Sequence, residues 1–172
     1  GLLFHTPRRR RLTLRLSQPG KVHIATGDVY VIQTNAKALL GVAWAAWHTL
    51  VGILPSDTKT EIALSFEDGT EAQADASITA DTEDDVWVSY DTTHEDALVL
   101  HIRDNRFSLA YGTSVSEAKY RAKAGLAFNF TDVVRARLAI YTRLPSLDTP
   151  TMERLFKKCI SVMKVNTLAP EG

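Results

Sequence analysis

The sequence predicts a mostly β protein, an antiparallel barrel or sandwich, followed by a region with one or two short helices. Three observations support this prediction. Six or more short segments of alternating or continuous apolar character lie within about eighty residues, turn residues separate them, and none has the period of an amphipathic helix. Short strands at such spacing are typical of antiparallel sheets rather than of parallel α/β folds.

The predicted strands follow one another from residue 11 to residue 102. In order they are RLTLRLS, KVHIATG, DVYVIQT, LLGVAWAAWHTL, TEIALSF, DVWVSYD and EDALVLHI. After TEIALSF, the dipeptide Asp68-Gly69 is a strong hairpin signal, and EAQADASITA is expected to be the returning strand. Residues 1–11 are expected to form an arm.

Beyond residue 104 the pattern is weaker. RFSLAYG (106–112) fits a strand or a linker, and SVSEAKYRAKAG (114–125) fits a short helix or an extended connection. LAFNFTDVVRARLAIYT (126–142) favours two strands.

DTPTMERLFKKC (148–159) has the features of a helix start. Thr149 or Thr151 is the candidate N-cap, and Pro150 stands at an early position, where its missing N–H costs nothing. CISVMKV (159–165) then favours a strand.

Composition limits the possible functions. The chain has 172 residues, 20 Lys and Arg against 20 Asp and Glu, and 45% hydrophobic residues, which suits one compact unit or two small lobes. A net charge of zero gives no general attraction to nucleic acid or membrane, and no apolar stretch approaches the ~20 residues of a membrane span. The single cysteine excludes an internal disulfide and fits a reducing compartment.

No cofactor or metal is expected. The glycines form neither a dinucleotide-binding nor a phosphate-binding loop, and the histidines lack metal-ligand spacing.

Two residues are the candidates for chemistry. His48 stands at the end of the apolar run GVAWAAWHTLVG, and Asp96 opens the strand DALVLHI, 48 residues later. A neutral histidine can take a proton from a nucleophile, while a carboxylate fixes its tautomer and stabilises the imidazolium. Glu95 could be the acid instead, although Asp96 is in better phase with the strand. Taken alone, His48 is more typical of a packing residue.

These segments resemble a known family. GVAWAAWHTLVG resembles the strand and histidine of chymotrypsin-like proteases, and HEDALVLHIRDNRFSL resembles the aspartate segment of the viral 3C-like proteases of picornavirus-type polyproteins. RDNRF (103–107) stands where that family has its connection between barrels. The resemblance implies a chymotrypsin-like fold, with a complete first barrel over 20–104 after an arm and first strand (1–19), and with a connector and partial second barrel over 105–172.

The resemblance also implies a function. The chain would be an endopeptidase that processes a viral polyprotein in the cytoplasm of an infected cell, with His48 as general base and Asp96 as its orienting acid. In the family the basic connector also contacts RNA. The candidate RNA-binding residues here are Arg8, Arg9, Arg10, Arg11, Arg103 and Arg106.

The nucleophile turn of the family, Gly-x-Ser/Cys-Gly, does not occur in this chain. ISVMKVNTLAPEG (160–172) resembles the strand and loop that lead into that turn, so the Cys or Ser nucleophile is expected just beyond Gly172. A companion chain could supply the missing strands. Cys159 has no glycine neighbours and is expected to be incidental.

The competing hypothesis is a non-catalytic β-barrel module: a capsid-type protein, an RNA-binding protein or a pseudoprotease. His48 would then be structural, and the arginines would bind phosphates.

Overall fold

A computed structural model describes residues 2–5, 10–66, 85–91 and 95–168 of the chain. These residues confirm the mostly β class with short helices. In place of the expected closed barrel, the described strands form two open antiparallel sheets, because no strand pair joins the two edges of either sheet.

The described residues form ten strands and three α-helices. The strands are β1 (Leu2–His5), β2 (Arg10–Leu16), β3 (Gly20–Ala25), β4 (Val29–Thr34), β5 (Leu39–Ala46), β6 (Thr49–Ile53), β7 (Thr60–Phe66), β8 (Asp85–Asp91), β9 (Asp96–Arg103) and β10 (Arg106–Gly112). The helices are α1 (Val115–Leu126), α2 (Phe130–Leu138) and α3 (Pro150–Leu168), with a 3₁₀ turn at Tyr141–Arg143. The smaller sheet has the order β1-β2-β7, and the larger has the order β3-β4-β5-β6-β10-β9-β8.

One face of the larger sheet carries large apolar side chains and packs against the smaller sheet. Because side chains alternate between the two faces of a strand, every second residue of β5, β6, β9 and β10 enters this core. Its members from the larger sheet include Leu40, Val42, Leu50, Leu98, Leu100, Phe107 and Leu109, and its members from the smaller sheet include Leu12, Leu14 and Ile62.

The opposite face of the larger sheet carries small side chains and is covered by helices. Ala97, Val99 and Ala110 pack against Ala118 and Ala122 of α1. Further along the sheet, Val29, Val31 and Ala43 pack against Phe130, Val133 and Val134 of α2. Small residues on both surfaces allow a helix to approach the sheet closely.

The region after residue 104 differs from its prediction. The β9–β10 hairpin spans that position, so β10 belongs to the same sheet as β9, and α1 is the helix rather than the extended alternative. Up to residue 168, helices occupy the region where a partial second barrel was expected.

Two strands predicted within 126–142 are wrong, because α2 forms there. Asn129 caps this helix by accepting a hydrogen bond from the Asp132 N–H at 3.3 Å. The valines that suggested a strand, Val133 and Val134, lie three and four residues after Phe130, so all three pack on the sheet from one side of the helix.

The helix start predicted near residue 150 is confirmed, and Thr149 is the cap. Its hydroxyl accepts a hydrogen bond from the Met152 N–H at 3.3 Å. The strand predicted for CISVMKV is wrong, since α3 continues without interruption to Leu168.

The N-terminal arm is a strand pair over part of its length. β1 pairs with β2 from Leu2 opposite Leu14 to His5 opposite Arg11. The Asp68-Gly69 turn and the strand EAQADASITA lie outside the described residues.

A hydrogen bond and an ion pair connect α3 to the turn between β3 and β4. The Gly27 N–H donates a hydrogen bond to the Ser161 hydroxyl. Lys164 Nζ forms an ion pair with Asp28 Oδ2 at 2.6 Å and donates to the Arg137 carbonyl at 2.5 Å. The Asp28 side chain is fully buried and also accepts a hydrogen bond from the Thr26 hydroxyl at 2.9 Å.

A substitution at Gly125 tests how closely α1 packs on the larger sheet. A Cβ there would lie 2.0 Å from Ser108 Oγ and 3.0 Å from a Thr49 methyl, so we expect Gly125→Ala to lower the free energy of unfolding by about 1–3 kcal/mol in urea denaturation. Alanine normally stabilises a helix relative to glycine, and the exposed site Ala124→Gly, expected to cost ~0.5–1 kcal/mol, is the matched control. A gain in stability from Gly125→Ala would contradict the packing.

The Lys164–Asp28 pair gives a second prediction. Lys164→Met leaves a buried carboxylate without its counter-ion, and we expect a loss of ~3–5 kcal/mol in the free energy of unfolding. The double variant Asp28→Asn/Lys164→Met should recover much of that loss. Lys157→Met, which removes a partly exposed pair with Glu153 on the same helix, should cost below about 1 kcal/mol. Equal costs for Lys164→Met and Lys157→Met would refute the stabilising role of the buried pair.

Candidate functional site

His48 lies in the tight turn between β5 and β6, so the single strand predicted for LLGVAWAAWHTL is wrong and the segment is instead a hairpin. Ala46 pairs with Thr49, so Trp47 and His48 are the two turn residues. The His48 ring shares a hydrogen bond of 2.6 Å between its Nδ1 and the Thr49 hydroxyl, and the Trp47 ring stands edge-on to it at 4.9 Å. The His48 carbonyl accepts a hydrogen bond from the Tyr111 N–H at 3.0 Å.

Two charged residues of α1 lie beside this turn. Arg121 forms an ion pair with Glu117 at 2.6 Å, donates to the Tyr111 carbonyl at 2.7 Å and stands over the Trp47 ring at 5.6 Å. Glu117 also accepts hydrogen bonds from the backbone N–H and the hydroxyl of Thr113, at 2.8 and 3.0 Å. We call the five residues Trp47, His48, Tyr111, Glu117 and Arg121 the turn cluster.

A third element also holds the hairpin. From α2, Arg137 donates to the carbonyls of Trp44 and Ala45 at 2.6 and 2.8 Å, just before the turn. The β5–β6 turn is therefore fixed by a neighbouring strand and by two helices.

The surroundings of His48 favour its neutral form. Burial lowers the pKa of the imidazole below its ordinary value of 6.5, and the nearby Arg121 charge lowers it further, against smaller opposing effects of a backbone hydrogen bond and of Glu117. The hydrogen bonds from Thr113 hold the pKa of Glu117 below its ordinary value, so this carboxylate is charged at neutral pH.

Asp96 is not part of the turn cluster. It is buried, lies opposite Asp91 of β8, and alternates in phase with Leu98 and Leu100, which face the smaller sheet. β10 lies between β6 and β9, so two strand spacings, about 10 Å, separate the strands that carry His48 and Asp96. The structure places the two predicted residues at the same end of the sheet but does not bring them together.

The carboxylate near His48 is Glu117, which the sequence analysis did not predict as a site residue. A signal for it was present, because Ser114 and Glu117 have the spacing of a capping box. The Ser114 hydroxyl accepts a hydrogen bond from the Glu117 N–H at 3.2 Å, and the glutamate side chain reaches back to Thr113.

No family model, curated protein or solved structure matches the chain. In the described ranges, no three His, Cys, Asp or Glu side chains are grouped so that they could hold a metal ion. None of the described helices is both long and apolar enough to cross a bilayer.

The predicted RNA-binding arginines that the structure describes lie at two separate places. Arg8 and Arg9 lie outside the described residues, and Arg10 and Arg11 begin β2, with side chains that are likewise outside the description. Arg103 and Arg106 pair across the β9–β10 hairpin, where Arg106 donates to the Leu126 carbonyl at 3.3 Å.

The separation of these arginines follows from strand register. Arg10 lies opposite Phe66, at the end of β7 away from Thr60, whereas Arg106 lies opposite Ile53, the last residue of β6. The connection from β6 to β7 runs from Ile53, beside Arg106, to Thr60 at the start of β7. Arg10 lies at the far end of β7, so most of the length of that strand separates the two basic sites.

The second candidate site is the outer side of α3. Three residues of α3 face the β3–β4 turn and line a cleft of about 330 Å³ there, namely Lys158, Ser161 and Val162, opposite Ala25, Thr26, Gly27 and Tyr30. Phe156 and Ile160 are half-buried, and Val162 borders the cleft, whereas the other large apolar side chains of the described part of the helix point away from this attachment. The exposed fractions there are 54% for Met152, 65% for Leu155, 52% for Val162 and 63% for Met163, and Cys159 is also exposed. We call Met152, Leu155, Cys159, Val162 and Met163 the α3 stripe.

The pKa of His48 gives a prediction about stability. Because the folded state binds this proton less tightly than the unfolded chain, the free energy of unfolding should fall as the pH is lowered from about 7 towards 5. The corresponding loss from Glu117 begins at lower pH, below its ordinary pKa of 4.5. In urea denaturation, the free energy of unfolding of His48→Gln should decrease less between about pH 7 and 5 than that of the parent chain. Identical decreases would contradict the lowered pKa.

Proposed function

We propose that this chain is a non-catalytic β-sandwich module that docks to another protein through the α3 stripe. The observation that carries the proposal is the orientation of α3, which meets the β3–β4 turn through Ser161 and Lys164 and leaves four large apolar side chains of the stripe more than half exposed. A surface helix normally has the opposite orientation, with the apolar side on the core.

The orientation of α3 is fixed by its anchors. The Ser161 and Lys164 side chains meet the β3–β4 turn, and the buried Asp28 carboxylate accepts the Lys164 charge. Turning the stripe inward would break this ion pair and leave Asp28 buried without its counter-ion, at a cost of several kcal/mol.

The exposed stripe favours association. Burial of apolar surface stabilises a complex by roughly 25 cal/mol for each Å², and a large exposed apolar side chain such as Leu155 gains about 1.5–3 kcal/mol when it is fully covered. Methionine, present twice in the stripe, adapts to partner surfaces of different shape because it is unbranched and flexible.

Cys159 provides the test, because it is the only cysteine of the chain and lies within the stripe. We expect iodoacetamide to alkylate it rapidly in the purified chain. In an extract of the cells that make the protein, alkylation should be roughly tenfold slower, as for a surface covered about nine-tenths of the time.

Leu155→Lys is the matched variant, since Leu155 is 65% exposed and its replacement leaves the core intact. In the extract, Cys159 of this variant should react at the rate of the purified chain. Equal rates for the parent chain in extract and in purified solution would overturn the proposal.

The second candidate function is the chymotrypsin-like viral endopeptidase that the sequence resemblance implies. One observation favours it: the lowered pKa keeps His48 neutral near pH 7, which is the form that a general base requires. The separation of His48 from Asp96 opposes it, and Glu117 is the carboxylate beside the histidine. The nucleophile would have to come from outside this chain.

Paired substitutions in the natural parent protein separate the two functions. An endopeptidase that uses His48 should lose its polyprotein cleavage in His48→Gln while it keeps the fold, as monitored by circular dichroism. A docking module should show no cleavage that depends on His48, and its protection of Cys159 should persist in that variant.

A further inference from the structure

We infer that the partner surface on the α3 stripe is α-helical and has an acidic rim, an inference that rests on the proposed docking function. Three features of the stripe and its surroundings point to this occupant: the spacing of the apolar side chains, the charges beside them, and the residue types that are exposed.

The spacing fits another helix. Met152, Leu155, Cys159 and Val162 follow at intervals of three, four and three residues, which is the pattern of core positions in a coiled coil. Such a pattern forms a seam that runs along the helix axis, and the seam of a second helix interlocks with it at a small crossing angle. Residue 159 is the smallest member of the seam, so it leaves space for a larger side chain of the partner.

The charges beside the seam are mostly positive. Arg154 and Lys158 lie on one flank of it, whereas Lys157, four residues before Ser161, lies on the side of the helix that meets the sandwich. Glu153 is the single carboxylate among the described side chains of α3. Glu153 already forms an ion pair with Lys157 at 2.5 Å. Two cations, Arg154 and Lys158, therefore remain on one flank without a carboxylate on their own helix, and acidic residues on the partner would complement them.

A second copy of the chain fits less well. A two-fold interface brings the same surface of each copy together, so it repeats the basic flank on both sides without adding acidic residues.

A lipid surface also fits less well, because helices that lie on membranes usually insert aromatic residues as well as leucine. Within the described part of α3 the strongly exposed apolar residues are Met152, Leu155, Val162 and Met163, and none of these is aromatic.

Two synthetic helical peptides test the inference on the purified full chain. Both carry the same leucine seam, with glutamate at the flanking positions of one and lysine at those of the other. The readout is the protection of Cys159 from iodoacetamide as the peptide concentration rises. We expect the glutamate peptide to bind about tenfold more tightly or better, and we expect added salt to reduce this difference.

Variants assign the preference to named residues. Arg154→Glu/Lys158→Glu should reverse the order of the two peptides, while leaving the Ser161 and Lys164 contacts of the helix in place. Leu155→Lys should weaken both peptides by about tenfold or more, because it places a charge in the middle of the seam.

Three results would overturn the inference. One is protection by the lysine peptide that equals or exceeds that by the glutamate peptide. Another is protection by vesicles of phosphatidylcholine and phosphatidylserine without any peptide, which would identify a lipid partner. The third is a dimer in sedimentation that Leu155→Lys dissociates, which would identify a second copy. The lysine-peptide result leaves intact the difference in alkylation rate between cell extract and purified chain, so it overturns the inference alone. The vesicle result would also overturn docking to a protein, and the dimer result would slow alkylation in the purified chain itself, so failure of the inference is distinguishable from failure of the proposed function.

Discussion

The buried ion pair between Lys164 and Asp28 decides how the helical region sits on the sandwich. Asp28 is held in the β3–β4 turn by the Thr26 hydroxyl, and Lys164 reaches it from the last part of α3 while also bonding the Arg137 carbonyl at the end of α2. A buried carboxylate must keep its counter-ion, so the polar side of α3 is fixed toward the sheet. The outward orientation of the apolar side is a consequence of this electrostatic requirement, because the opposite orientation would separate the two charges.

Two arginines of the helices α1 and α2 fix the turn that carries His48. Arg137 of α2 holds the two carbonyls before the turn, while Arg121 of α1 holds the Tyr111 carbonyl on the neighbouring strand and covers Trp47. These two arginines join helices to strand ends, and the neutral imidazole avoids a second positive charge beside Arg121. A histidine in such a place stabilises a turn in its uncharged state, which is the same state that made it a candidate base.

Alternation and turn residues were sufficient to predict the β class, the strands β2 to β5 and β7 within a few residues, and the strands β8 and β9. They missed β6, because the apolar run LLGVAWAAWHTL predicts a single strand, whereas the chain turns at Trp47 and His48 and returns as β6. The Thr149 cap was likewise visible, because capping depends on a few adjacent residues. The prediction failed at α2 and in the second half of α3. Val133 and Val134 are β-branched and suggest a strand by composition, yet the Asn129 cap and the contacts of Phe130 with the sheet favour a helix. Local preference was overridden by packing that involves residues far away in the chain.

The sequence by itself determined most of the strands before residue 104, because a pattern of period two requires only neighbouring residues. It also identified His48 as an unusual residue at the end of an apolar run. Only the tertiary structure decided which carboxylate stands beside that histidine, because strand order inserts β10 between β6 and β9 and brings Glu117 of α1 to the turn. It also decided which side of α3 is exposed. That choice depends on the buried charge of Asp28, which lies 136 residues before Lys164 and cannot be inferred from the helix alone.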